Sequence, residues 1–109
     1  RSGTDAARLI ALGASAVVYG VAAAIAMGGE IGINEIVWSS DRTVSERSDG
    51  LRAILNANAG EASMMARCTG KTRLHNLEPE DLRSVTLTTS TATGVPVPGH
   101  NVSRRQASA

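Results

Sequence analysis

The sequence predicts an α/β fold organised around one buried strand, and three neighbouring observations carry that prediction. Ala6, Ala7, Leu9 and Ile10 recur at helical spacing. Ala16, Val17, Val18 and Tyr19 form a short apolar run without alternation. Val21 to Met27 is apolar again and stops at Gly28 and Gly29. A periodic stretch, a non-alternating run rich in β-branched residues and a second apolar stretch read as helix, strand buried on both faces, helix.

Each piece has its own local signals. Thr4 is a suitable N-cap for the first helix, and Asp5 meets the positive end of the helix in its first turn. Gly13 is placed to close that helix. The strand Ala16–Tyr19 gives way to Gly20, and the second helix starts at Val21. In parallel α/β folds ligands sit beyond the carboxyl ends of strands. A glycine there either makes a tight turn or lets the backbone approach an anion, beside the free N–H groups of the following helix.

Residues 30–50 are read as a variable loop: a short strand at Glu35–Trp38, then a polar, turn-like stretch from Ser39 to Gly50. Residues 51–93 are read as C-terminal helices. Leu51, Ile54, Leu55, Ala59, Ala62 and Met65 keep helical spacing up to Cys68, with Met64 and Met65 as core fillers and Gly70 as the stop. Gly70-Lys71-Thr72 is not a phosphate-binding P-loop, because Met65 stands where that motif needs its first glycine and no strand leads in. His75 has no ligand partner at metal-binding spacing and reads as a structural hydrogen-bonding residue. Glu78-Pro79-Glu80-Asp81 reads as a helix start continued by Leu82 and Val85. Thr86 to Thr93 is either a frayed helix end or an extended arm. Residues 94–109 read as an extended, disordered tail, whose Asn101-Val102-Ser103 matches a glycosylation acceptor by chance.

Composition narrows the functional classes. Eleven basic residues stand against 10 acidic ones, and aromatic residues make up 2% of the chain. That balance provides neither a basic patch nor a stacking platform for nucleic acid. The core must be aliphatic, which buries less area per residue and fits dependence on partner elements. Cys68 is the single cysteine. It excludes an internal disulfide and a multi-cysteine metal site, is compatible with the reducing cytoplasm, and reads as a packing thiol. Arg1 and Arg8 before an apolar stretch raise the alternative of a signal peptide or anchor. Asp5 interrupts the basic part, however, and the apolar run from Ala16 to Gly29 falls short of the ~20 residues that cross a bilayer.

Two motifs carry a family resemblance. Arg1-Ser2-Gly3-Thr4-Asp5-Ala6-Ala7-Arg8, followed by Leu12-Gly13-Ala14 and Tyr19-Gly20, resembles the end of an FMN-dependent (β/α)8 TIM barrel. There the phosphate site reads Gly-Gly-(Ile/Val)-Arg-(Ser/Thr)-Gly, before a helix, a Leu-Gly-Ala turn and a last strand ending in Gly. Gly70-Lys71-Thr72-Arg73-Leu74-His75-Asn76-Leu77-Glu78-Pro79-Glu80-Asp81-Leu82 is similar to the C-terminal segment of the FMN-binding synthase domain of the glutamate synthase family, including its methylamine–glutamate-type homologous subunits.

The resemblance implies the terminal helix–strand–helix portion of such a barrel (residues 1–29) plus docking helices, hence an incomplete barrel. A complete barrel takes about 250 residues, so the 109-residue chain is expected to be a C-terminal piece of a longer protein, the alternative being an autonomous small domain. The implied cofactor is FMN, with Arg1 and the backbone of Gly20, Val21 and Ala22 at its phosphate. The implied partner is the upstream part of the barrel or a partner subunit, and no catalytic residue falls within this chain. The family's iron–sulfur cluster is not implied, because no cysteine lies between Arg1 and Arg67. The competing expectation is a non-catalytic assembly module or a degenerate, clusterless remnant.

Overall fold

The computed structural model describes residues 2–99. Its elements in order are α1 (Gly3–Ala11), α2 (Val21–Ala26), β1 (Gly29–Ile31), β2 (Ile36–Trp38), α3 (Val44–Cys68), 3₁₀ turns at Leu74–Asn76 and Pro79–Asp81, and α4 (Leu87–Thr93). The strands β1 and β2 form an antiparallel hairpin with Gly29 opposite Trp38, Glu30 opposite Val37 and Ile31 opposite Ile36.

The N-cap of α1 is Ser2 rather than Thr4. The Asp5 N–H donates to Ser2 Oγ and the Ser2 N–H donates to Asp5 Oδ2, each at 3.3 Å, forming a reciprocal capping box. The Thr4 hydroxyl donates instead to Glu61 of α3. Gly13 closes α1 as expected. At φ 114 it lets its own N–H reach the Ile10 carbonyl and the Ala14 N–H reach Leu9.

The expected strand at Ala16–Tyr19 is not a strand among the described residues: residues 16–20 carry no regular structure. Val18 is 93% exposed and Ala16 is exposed, whereas Val17 and Tyr19 are half-buried. A run built for burial on both faces needs strands on either side, and no described residue pairs with it. The turn at Gly20 and the helix after it stand where they were expected.

Residues 30–50 hold more structure than a loop. The short strand is present as β2, and α3 begins at Val44 within the stretch expected to be polar turn. A second capping box sets that start: the Glu46 N–H donates to Thr43 Oγ1 at 3.2 Å and the Thr43 N–H to Glu46 Oε2 at 3.0 Å. The 25-residue helix ends as expected at Gly70, where the Gly70 N–H reaches Arg67 and the Lys71 N–H reaches Ala66, both at 3.0 Å.

The inward face of α3 is Asn58, Ala62 and Ala66. Met64, Met65 and Leu55 lie on the exposed side, so the methionines are not core fillers. Cys68 is exposed as well, and is not a packing thiol. The core forms where α1 meets α3: Ala7 and Ala11 against Ala62 and Ala66, capped by Leu77 with Leu74 and Leu82 alongside. These side chains are mostly small, so the helices approach closely and little apolar area is buried per contact. The radius of gyration is 18.2 Å, against about 13 Å for a compact domain of 100 residues.

The acidic helix start at Glu78 makes only a 3₁₀ turn. Leu82 then turns extended (φ −103, ψ 152), because the chain beyond it is tied elsewhere: the Ser84 N–H donates to Pro96 O at 3.0 Å and Ser84 Oγ donates to Val95 O at 2.9 Å. Between those ties Thr86–Thr93 resolves as a helix, α4, with Thr86 as N-cap. Val95 is buried, so the segment after α4 begins as an anchored element rather than a free tail. The expected glycosylation motif and the rest of the tail lie outside the described residues.

Candidate functional site

The phosphate site expected from the sequence has two parts. Arg1 lies outside the described residues. The second part is the turn at Gly20, Val21 and Ala22. Gly20 is the N-cap of α2, with φ −117 and ψ −88, and its carbonyl accepts the Ala24 N–H at 3.0 Å. No side chain caps this end, and its first turn holds no acidic residue. The leading N–H groups of a helix have no partner within it, and those of Val21 and Ala22 are such groups.

The other three α-helices among the described residues each carry an N-cap side chain: Ser2, Thr43 and Thr86. At Gly20 a Cβ would meet nothing within 4 Å, so packing within the chain does not require glycine there. On the side where a Cβ would stand, the turn is open to close approach.

Glu61 of α3 ties that helix to the start of α1. It accepts the Thr4 hydroxyl and, at 3.0 Å, the Gly3 N–H. Those bonds, with the Thr4 hydroxyl the larger cause, hold its carboxyl below the ordinary value of 4.5. The contact is tight: a Cβ on Gly3 would run into the Asn58 carbonyl oxygen and the Glu61 side chain. No signal in the sequence singled out Glu61, because its partners are 57 and 58 residues away.

His75 Nε2 is 3.0 Å from the Ser15 carbonyl oxygen, so the imidazole donates there and ties the Leu74–Asn76 turn to the segment that follows α1. This is the structural role expected of it. Lys71 Nζ lies 3.7 Å from Glu78 and 3.9 Å from Asp81, bridging the end of α3 to the Pro79–Asp81 turn. Among the described residues no three His, Cys, Asp or Glu side chains cluster to hold a metal ion. No helix there is long and apolar enough to cross a membrane.

The chain is similar to a glutamate synthase large subunit-like protein of Rhizobium meliloti (strain 1021), at 33% identity over 132 residues. The match takes in 91% of this chain, which spans 29% of the length of that relative. No family model matches the sequence, and no solved structure matches it.

Proposed function

We propose that the chain is the C-terminal part of the FMN-binding domain of a glutamate synthase-type oxidoreductase, and that its share of the work is to hold the FMN phosphate. The parent reaction is formation of glutamate from 2-oxoglutarate and ammonia or glutamine-derived nitrogen. The observation that carries this reading is the 33% identity running over 91% of the chain. The bare turn at Gly20 supports it locally, by offering an open, uncapped helix start.

In this reading Arg1 supplies a guanidinium to the phosphate, and Val21 and Ala22 donate backbone N–H groups from the other side. Bound FMN would relay the reducing electrons; this chain would bind and orient it. Ala16–Tyr19, without a strand partner among the described residues, becomes the last strand of the barrel once the upstream strands or a partner subunit pair with it. An iron–sulfur cluster does not fit the chain. Such clusters are held by several thiolates, and Cys68 is the single cysteine.

The alternative reading is a non-catalytic assembly module. It is favoured by the exposed apolar residues, Val18 at 93% and Ile33 at 99%. Flavin content separates the two. Co-purified with the polypeptide that precedes it, the chain is expected to carry FMN, read from visible absorbance. Arg1→Ala is expected to weaken that binding about tenfold or more, the loss of a charge-assisted phosphate contact. Flavin content unchanged by Arg1→Ala and by Gly20→Asp would remove the phosphate assignment and leave the assembly module.

A further inference from the structure

Ser2, Gly3 and Thr4 directly follow Arg1 in the chain, and each of the three is tied down. The Ser2 N–H donates to Asp5 Oδ2 at 3.3 Å. The Gly3 N–H donates to Glu61 Oε2 at 3.0 Å, and the Thr4 hydroxyl donates to Glu61 Oε1. One carboxylate of α3 thus spends both its oxygens on two adjacent residues at the start of α1. Gly3 is seated so close to α3 that a Cβ there would run into the Asn58 carbonyl oxygen and Glu61 Cβ. None of these contacts involves residues 16–20, so pairing of that run with other strands leaves them in place.

Holding the two helices together does not require such a grip. Ala7 and Ala11 already pack on Ala62 and Ala66 further along α1. Charge-assisted bonds from both oxygens of one carboxylate add direction, because they fix where the gripped backbone stands and how it is turned. Direction matters for a side chain that must meet an anion. A guanidinium carried on loose backbone loses affinity to the cost of ordering that backbone on binding. A supporting residue that locks the backbone beforehand removes the cost. Arg1 lies outside the described residues, and its peptide bond to Ser2 is what links it to this grip.

We propose that Glu61 is a positioning residue for the FMN phosphate site: by holding the Gly3 N–H and the Thr4 hydroxyl, it fixes the backbone from which the Arg1 guanidinium reaches the phosphate. This rests on the flavin reading above and adds to it a residue of α3 that acts through Arg1 rather than on the cofactor. An amide at this position has a single acceptor oxygen, so Glu61→Gln gives up one of the two bonds.

The test is a double-mutant cycle. FMN is titrated into the flavin-free protein, the chain together with the polypeptide that precedes it, in the unmodified form and as Arg1→Ala, Glu61→Gln and the double variant. Glu61→Gln is expected to weaken FMN binding about fivefold, the scale of coupling within one network, and to weaken it no further once Arg1 is replaced. An equal loss in both backgrounds would overturn the proposal and leave Glu61 a structural tie between helices. Unchanged affinity in Glu61→Gln beside weakened affinity in Arg1→Ala would also overturn it, with the flavin reading left standing. No effect of Arg1→Ala would bring down the flavin reading itself, and this inference with it. With FMN saturating, the phosphorus NMR resonance of its phosphate gives a second readout. Glu61→Gln should move it in the same direction as Arg1→Ala, which a loss of stability alone does not do, and an unmoved resonance would refute the positioning role. Should Glu61→Gln lose its far-UV helical signal, Thr4→Val takes its place in the cycle with the same outcomes, since it keeps Glu61 and the bond from the Gly3 N–H.

Discussion

The starts of α1 and α2, at Gly3 and Val21, are close in sequence but opposite in how they use their backbone. At α1, Ser2 and Asp5 cap each other and Glu61 takes both the Gly3 N–H and the Thr4 hydroxyl. At α2, Gly20 offers no side chain, and among the described residues nothing lies within 4 Å of where its Cβ would stand. Both regions contain a glycine at the helix start, for different reasons. Gly3 is small because another helix presses on it, and Gly20 is small where nothing does. A helix end that serves packing consumes its own donors; one left bare has donors to give to something else.

The sharpest way to break this contrast is at Gly3. Gly3→Val is expected to separate α1 from α3 and destabilise the fold by about 3 kcal/mol or more, the upper range for forced overpacking, read as a large drop in the urea midpoint. A wild-type midpoint would mean that the helices are not in contact there. Next comes Glu61. Its carboxyl is lower in the folded chain than its ordinary value of 4.5. Its contribution is therefore present in full above that value and is lost as pH falls through the lower folded one. Glu61→Gln should weaken the chain at neutral pH and flatten the loss of stability in acid. An unaltered acid limb would show that the bonds to Gly3 and Thr4 carry no weight.

Ser2→Ala follows, with about 1 kcal/mol expected for loss of an N-cap and the change confined to protection of α1 amides against exchange. The smallest effect is expected at the bare end. Gly20→Ala should move stability by no more than about 1 kcal/mol, the scale of a glycine-to-alanine change at a site without clashes. A collapse of the fold in that variant would show that the space at Gly20 is not free.

Much of the order of elements was legible because it is written locally. The apolar spacing of Ala6, Ala7 and Ile10, the stops at Gly13 and Gly70 and the brief strand at Ile36–Trp38 need no distant partner to be read. The start of α3 was also written locally, in Thr43-x-x-Glu46, but the polar residues around it masked the capping signal. What could not be read was the choice of face. Met64 and Met65 are more hydrophobic than Ala62 and Ala66, yet the alanines face inward, because α1 comes close enough to leave room for little else. The Ala16–Tyr19 run failed for a related reason: its pattern reports burial on two sides, and no described residue supplies a strand on either. At the candidate site the turn and helix start at Gly20 followed from the sequence. The pairing of Thr4 and Gly3 with Glu61 arises only when α1 and α3 are brought together.

The ties of Ser84 to Val95 and Pro96 have a topological consequence. They make residues 85–94, α4 included, a side excursion whose two feet stand together, so the chain could be cut or lengthened at its apex without moving either foot. Doubling the length of such an excursion costs only about 0.6 kcal/mol in closure entropy. That makes α4 the natural place to attach a label or a tether while α1, α2 and α3 stay where they are.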